Sequence, residues 1–208
     1  MTNSVIVTFC STLIAGFFGS ITSYSLAKIK FKFNFNRILL IWILFTRIIP
    51  PVVMLMPYFI IIRNLGLLNT RMSLILTYTY LAFPFVVWMM LGFFKEIPQD
   101  IDDAAIIDGC NFWNRFIRIG LPLAKTGFIV VCIFVFISAW NEFLFALTLT
   151  SLKAETLPVL IGSFINDKGY EWGKIMVLSV YSIIPMLIFA IATQKFLIKG
   201  LTLGAVKE

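Results

Sequence analysis

Long apolar stretches constrain this chain more than any other feature of its sequence. A helix that crosses the roughly 30 Å hydrocarbon core of a bilayer needs about 20 apolar residues. Five stretches meet that length, at residues 4–27, 38–62, 73–94, 127–150 and 174–196. Only 13% of the residues are charged, against about 25% in a soluble domain. We therefore predict an all-α integral membrane protein of about five spans, in which residues 1–208 form a single transmembrane domain.

The basic residues predict the orientation of these spans. If the spans alternate in direction, 11 of the 17 Lys and Arg residues fall in the segments on one side, five fall on the other, and Arg47 lies within a span. Because positive residues collect on the cytoplasmic side, the N-terminus is predicted outside and the C-terminus inside. The tract "KIKFKFNFNR", residues 28–37, is the strongest signal. The net charge of +7 is thus attributed to topology and contact with membrane lipid, with no nucleic-acid partner.

Several chemical functions are disfavoured by composition. The chain has no histidine, so histidine-based metal sites and acid–base chemistry are excluded. Its cysteines, Cys10, Cys110 and Cys132, lack metal-ligand spacing and a disulfide framework. No GxxxxGK[ST] phosphate loop occurs. We predict no catalytic residues, no metal and no cofactor bound by this chain.

The positive charges follow the first apolar stretch instead of preceding it, which is the reverse of a secretory signal peptide.

Two charges lie inside predicted spans. Arg47 lies about ten residues into the second span, where it is followed by Pro50, Pro51 and Pro57, and Glu142 lies in the fourth. A charge at this depth is costly unless it faces the protein interior, and the prolines free backbone groups that need partners. Arg47 and Glu142 either form an ion pair or are solvated separately in a channel.

The fourth span contains a cluster of polar and aromatic residues at positions 140–142. In a transporter, four residues would be candidates to line the solute path, although packing is an alternative role for the last three: Arg47, Trp140, Asn141 and Glu142. The segment that follows, residues 151–173, is too apolar for a flexible linker and is interpreted as a lid-like or re-entrant stretch outside.

A charged segment between the third and fourth spans, which we call the inner loop (residues 95–126), is predicted to hold two short helices in the cytoplasm. Pro98 suits the first position of a helix. Asp100, Asp102 and Asp103 in its opening turns complement the positive end of the helix dipole. An apolar face is expected at Ile97, Ile101 and either Ala104 or Ala105.

The second helix of the inner loop is predicted from its turn and its cap. Gly109 can adopt a left-handed conformation that ends the first helix. Asn111 can then cap a helix over residues 112–119, with Phe112, Phe116 and Ile119 on one face. A surface of small residues, Ala104, Ala105 and Gly109, suits docking onto a partner protein. The alternative is a helix lying on lipid, which five acidic residues between positions 96 and 108 disfavour.

A family resemblance rests on this loop. The spacing Asp103-Ala104-Ala105, three residues, Gly109, nine residues, then Ile119-x-Leu121-Pro122 resembles the EAA signature of binding-protein-dependent ATP-binding cassette (ABC) importer permeases. The segments "RIIPPVVMLMP", "NEFLFALTLT" and "GLTLGAVK" are similar to the carbohydrate (maltose-type) branch, so that the resemblance covers essentially the whole chain.

The resemblance implies a function and a set of partners. The chain would be the inner-membrane permease subunit of an ATP-driven importer for a sugar or oligosaccharide. It would not be an enzyme, because ATP and Mg would be bound by separate ATPase subunits. A second homologous permease and an extracytoplasmic solute-binding protein are also implied. The residues that would couple to the ATPase are Asp103, Ala104, Ala105, Gly109, Ile119, Leu121 and Pro122.

The chain departs from the family pattern at three points. Asp103 replaces the leading glutamate, Thr126 stands where a proline often follows "LAK", and five spans are counted where six are usual. We therefore expect the chain to lack a first span. An ion-gradient-driven secondary transporter is the alternative, since it would also carry interior charges and broken helices, but it would not need the inner loop.

Overall fold

The computed structural model describes residues 1–29, 35–166 and 169–203. Part of the basic tract, at Lys30 and Lys32, and the end of the C-terminal motif, at 204–208, lie outside these residues. The described chain is mainly helical. Its elements are α1 (Thr2–Lys28), α2 (Phe35–Phe45), α3 (Pro51–Asn64), α4 (Arg71–Glu96), α5 (Gln99–Ile107), α6 (Phe112–Arg115), a π-helical turn (Phe116–Gly120), α7 (Leu121–Leu123), α8 (Lys125–Trp140), α9 (Leu144–Leu149), α10 (Leu157–Gly162), β1 (Ile165–Asn166), β2 (Gly169–Tyr170) and α11 (Trp172–Leu203).

Helix α1 packs through a row of small residues. Ser11, Ala15, Gly19 and Ser23, each four positions apart, are all buried. At Gly19 an added Cβ atom would lie 2.6 Å from a methyl group of Val86 on α4, so the missing side chain permits the close approach of the two helices. The C-terminal end of α1 is held by the Asn36 side chain, which donates to the carbonyls of Leu26 at 2.9 Å and Ile29 at 2.6 Å.

The predicted span 38–62 is not one continuous helix. Helix α2 ends at Phe45, and α3 begins at Pro51 with Pro50 at its N-cap position. Proline lacks an amide hydrogen and disfavours helix in the residue before it, so two successive prolines interrupt the hydrogen-bond ladder. Pro57 lies within α3 and is accommodated there.

The predicted span 127–150 is also interrupted. Helix α8 ends at Trp140, and α9 begins at Leu144, after three intervening residues. At its N-terminal end, α8 is bent by 81° from the segment Phe112–Leu123. Among the described residues, α1, α4 and the stretch Trp172–Lys195 of α11 are long and apolar enough to span a membrane, and the bent pair brings the number to four.

The chain is divided into two compact units. The first comprises Met1–Thr12, Ile49–Thr79 and Phe136–Gln194. In it, α3 packs on α9 through an edge-to-face contact of Tyr58 and Phe145. The predicted outer connection, 151–173, is structured, with buried Leu157 and Val159 in α10 and an antiparallel pairing of β1 with β2.

The second unit comprises Leu13–Ile48 and Tyr80–Val135, with the residues from Lys195 onward. An apolar core in this unit gathers residues of α1, α4, the inner loop and α8. The fully buried members include Tyr24, Val86, Met90, Phe94, Phe116 and Val131. The inner loop is thus packed into the same core as the helices on either side of it.

Candidate functional site

The first helix of the inner loop, α5, begins one residue later than predicted and turns a different face inward. Pro98 occupies the N-cap position instead of the first helical position. Asp102 and Ala105 are the buried residues, whereas Ile101 and Ala104 are exposed. The predicted apolar face is confirmed at Ile97, which packs against the core, and at Ala105, but it is wrong at Ile101. Asp102, the next residue, is buried instead of Ile101. Ala105 is also turned away from the surface of small residues to which it was assigned.

The turn between the two short helices forms as predicted. Gly109 has φ +78°, the left-handed conformation that favours glycine. The amide of Cys110 donates to the carbonyl of Ala105 at 2.9 Å, and the amide of Gly109 donates to Ile106 at 3.0 Å, which closes the end of α5. The Asn111 side chain accepts from the amide of Asn114 at 2.9 Å, so Asn111 caps α6 as expected.

Beyond α6 the helix changes geometry. Residues 116–120 form a π-helical turn, in which the amide of Leu121 donates to the carbonyl of Phe116. Phe116 is buried, while Phe112 and Leu121 are partly buried against the same core. Ile119 is half-buried and Pro122 is exposed. The second helix therefore buries the aromatic face that its sequence predicts.

The outward side of the inner loop is apolar to an unusual degree for a charged loop. Ile107 is 87% exposed, and Ile106, Trp113 and Ile117 are each about half exposed. Asp103, Ala104 and Gly109 are exposed beside them. Several exposed apolar side chains on one short loop are typical of a surface that another molecule covers.

A network of charges lies on the opposite, buried side of the loop. Asp102 is 1% exposed. One of its oxygens accepts a hydrogen bond from the Tyr24 hydroxyl and lies 3.6 Å from Nη1 of Arg115, and the other lies 3.3 Å from Nζ of Lys28. Lys28 also donates to the carbonyl of Ile97 at 2.7 Å. This network joins the end of α1 to both short helices of the loop.

The sequence prediction treated Asp102 only as a partner of the helix dipole and missed its ion pairs. One signal was present in the pattern. Tyr24 and Lys28 are four residues apart, and Asp102 and Ala105 are three apart, so each pair shares one helix face. The sequence of either helix alone does not indicate that this face of α1 packs against this face of α5.

Arg47 lies in the interruption between α2 and α3. Its side chain is exposed, and its guanidinium carbon lies 5.7 Å from the centroid of the Phe85 ring. A cation over an aromatic face is stabilised by about 0.5–2 kcal/mol. Arg47 is therefore engaged within its own unit.

Glu142 lies in the interruption between α8 and α9. Its carboxylate accepts hydrogen bonds from the backbone amides of Phe145 at 2.8 Å and Ala146 at 3.1 Å, so the side chain caps α9. These amides begin a helix and have no intrahelical partner. The Glu142 carboxylate, predicted as a possible ion-pair partner, therefore binds backbone amides of its own unit.

The two residues that precede Glu142, Trp140 and Asn141, border a groove of about 290 Å³. Trp140 is buried and stacks on Phe136, with ring centroids 6.1 Å apart, whereas Asn141 is exposed. The remaining lining residues are Leu157, Pro158, Ile161 and Ser182. Three of the four predicted path residues, at positions 140–142, are thus adjacent at one interruption, and Arg47 lies at another.

Comparison with known proteins identifies the class. Residues 15–202 match the family described as the binding-protein-dependent transport system inner membrane component. The chain is 36% identical over 208 residues to the trehalose/maltose transport system permease protein MalG of Thermococcus litoralis, covering 99% of this chain and 74% of that protein. It is 36% identical over 208 residues to the trehalose transport system permease protein SugB of Mycobacterium tuberculosis, covering 99% and 75%.

A solved structure has the same fold. A bacterial ABC transporter involved in the import of the acidic polysaccharide alginate superposes with a TM-score of 0.74 at 24% identity, covering 93% of this chain and 72% of that one. The chain belongs to the binding-protein-dependent transport system inner membrane component family. It is a multi-pass membrane permease subunit of an ABC importer, not an enzyme. The comparisons support this interpretation and not the ion-gradient-driven alternative.

Proposed function

We propose that this chain is the permease subunit of an importer for a sugar or oligosaccharide and that its inner loop couples it to an ATPase subunit. Relatives whose names specify trehalose, maltose or diacetylchitobiose support the substrate class. The observation that carries the coupling role is the exposed apolar side of the loop, with Ile107 at its most exposed point.

In this proposal the ATPase subunit covers that apolar side. Ala104 and Gly109 allow close approach, Asp103 supplies a charge at the rim, and Trp113 offers a large apolar contact. Ala105, Ile119 and Leu121, which are buried or half-buried, support the contact from within the loop, and the remaining candidate, Pro122, is exposed. ATP and Mg are bound by the ATPase, and this chain binds no cofactor of its own.

The outer and lateral partners follow from the same class. A solute-binding protein delivers the sugar outside, and a second, homologous permease completes the pathway. The window of α11 that is apolar enough to span a membrane has no buried residue within this chain, which leaves its surface for lipid or that second permease. We propose the N-terminus outside and the C-terminus inside, with α2 and α3 as one broken span and α8 with α9 as another, for five in all.

The solute path is proposed to pass Arg47, Trp140, Asn141 and Glu142. Sugars are bound by stacking on aromatic rings and by hydrogen bonds to a few polar groups in a concave site. The groove beside Asn141 offers such groups, with Ser182 across from it. Glu142 shapes this region by capping α9, and Trp140 supplies its buried wall.

The coupling role is tested by Gly109→Val. A β-branched residue at φ +78° is strained by roughly 1–2 kcal/mol or more, so the second short helix is expected to be displaced while the spans still insert. Recovery of the ATPase subunit in pull-downs should fall, and ATP-driven uptake of labelled trehalose, maltose and diacetylchitobiose should be lost.

A matched control is Gly66→Val. Gly66 also has a left-handed φ, +67°, with no atom within 4 Å of an added Cβ atom, and it lies outside the inner loop. The Gly66→Val variant should recover the ATPase subunit in pull-downs as the wild type does. Full uptake and recovery in Gly109→Val would refute the coupling role, and failure of the wild-type importer to take up any of the three sugars would refute the substrate class.

A further inference from the structure

The buried charges of the inner loop form a second feature beneath its exposed side. Asp102 is nearly inaccessible and is surrounded by Tyr24, Lys28 and Arg115. These groups come from three segments, namely the end of α1, the start of α5 and the end of α6. None of them belongs to the apolar surface proposed to contact the ATPase.

This network is a poor choice for stability alone. Removing charged groups from water is costly, and well-packed apolar residues of similar size often stabilise a protein as much or more. What charges and hydrogen bonds add is dependence on distance and angle, whereas apolar contact is non-directional. Such a network therefore specifies one seating of the loop on α1.

The surrounding contacts support a single seating. The Tyr24 ring packs edge-to-face on Phe94 and lies against Phe112 and Phe116. An added Cβ atom at Gly120 would lie 2.6 Å from the Tyr24 ring, so the π-helical turn closes tightly around it. Lys28 reaches across to the carbonyl of Ile97, where α4 meets the loop.

We propose that Asp102 is a positioning residue that locks the inner loop to the end of α1, so that displacement of the loop by the ATPase moves α1 with it. This inference rests on the coupling role proposed above and adds the connection through which the movement passes. The lock is formed by the Tyr24 hydroxyl and the Lys28 and Arg115 charges around one carboxylate.

The test uses variants that alter the charge or hydroxyl group of the lock and keep the size of the side chain nearly constant. Asp102→Asn removes the charge at constant shape, and Tyr24→Phe removes only the hydroxyl. Asp100→Asn is the matched control, because Asp100 lies on the same helix but is exposed. Spin labels at Phe18→Cys and Gln99→Cys, in a chain without native cysteines, report the distance between α1 and α5 in the assembled importer.

In the wild-type importer the two labels should give one distance, without nucleotide and with ATP and vanadate. Both lock variants should show a second distance population, because losing a hydrogen bond to a charged group shifts the equilibrium between seated and unseated loops by about tenfold. In the same two variants the ratio of trehalose imported to ATP hydrolysed should fall. Asp100→Asn should match the wild type in both measurements.

Lys28 provides a rescue experiment. Lys28→Met should produce the second distance population, and Lys28→Arg, which keeps the charge, should restore the single one. If Asp102→Asn does not assemble, Tyr24→Phe decides, since it leaves every charge in place.

A single distance and normal trehalose-to-ATP ratio in Tyr24→Phe and Lys28→Met would overturn the lock. That result, together with loss of ATPase recovery in Gly109→Val, would leave the coupling role standing. Normal recovery in Gly109→Val would instead remove the coupling role itself.

Discussion

The Glu142 carboxylate accepts hydrogen bonds from the backbone amides of Phe145 and Ala146, which begin α9 and have no intrahelical partner. Asn141, one residue earlier, donates its side-chain amide to the carbonyl of Ile137 at 2.8 Å and is exposed. Adjacent polar residues thus have different surroundings. Glu142 caps the N-terminal end of α9, and Asn141 lines the groove.

These surroundings predict different outcomes for two substitutions. Glu142→Gln should lower the melting temperature of the purified permease complex, because loss of a helix-capping interaction costs about 0.5–2 kcal/mol. Asn141→Ala should leave the melting temperature nearly unchanged and raise the KM for uptake of whichever test sugar the wild-type importer takes up, since it removes a polar group from the proposed path.

Ser179→Ala serves as a control for both measurements, because it removes a hydroxyl from α11 outside the groove lining. A normal KM in Asn141→Ala would remove Asn141 from the path. An unchanged melting temperature in Glu142→Gln would mean that the cap contributes little.

At the scale of the elements, α1 and α4 approach each other closely because Gly19 has no side chain. Gly19→Ala would place a Cβ atom 2.6 Å from a methyl group of buried Val86. Overpacking costs about 1–3 kcal/mol, which outweighs the roughly 1 kcal/mol gained by replacing a helical glycine with alanine. The free energy of unfolding in detergent should therefore fall.

Gly92→Ala provides the comparison for this prediction. Gly92 lies in α4 with no atom within 4 Å of an added Cβ atom, so only the gain in helix propensity applies and stability should rise. Equal effects at both positions would show that the contact at Gly19 relaxes without cost.

At the scale of the whole molecule, the distribution of basic residues predicts which ends face the cytoplasm. In a functional chain lacking its native cysteines, Gln99→Cys should be protected from an impermeant thiol reagent applied outside, and Leu152→Cys should react. Both positions are exposed on the described chain, and Leu152 is 95% exposed.

Permeabilised cells provide the control, because both positions should then react. Labelling of position 99 but not 152 in intact cells would reverse the orientation and place the inner loop on the wrong side for an ATPase.

The features that could be predicted from the sequence depend on neighbouring residues. Apolar length predicts membrane insertion because it depends on transfer of each segment into lipid. The turn at Gly109 and the cap at Asn111 were predicted correctly because left-handed backbone and capping are set within a few residues. The spacing of the inner loop likewise led to the family that the comparisons confirm.

The features that required the tertiary structure depend on contacts between distant positions. Tyr24 and Asp102 are 78 positions apart, so no local pattern relates the face of α1 to the face of α5. The same contact turns Asp102 and Ala105 inward and leaves Ala104 and Ile107 outside. The sequence by itself determined that a structured loop lies between apolar helices. Which of its faces is buried was decided by the tertiary structure, because an aspartate can be buried only where cations and a hydroxyl from other segments offset its desolvation.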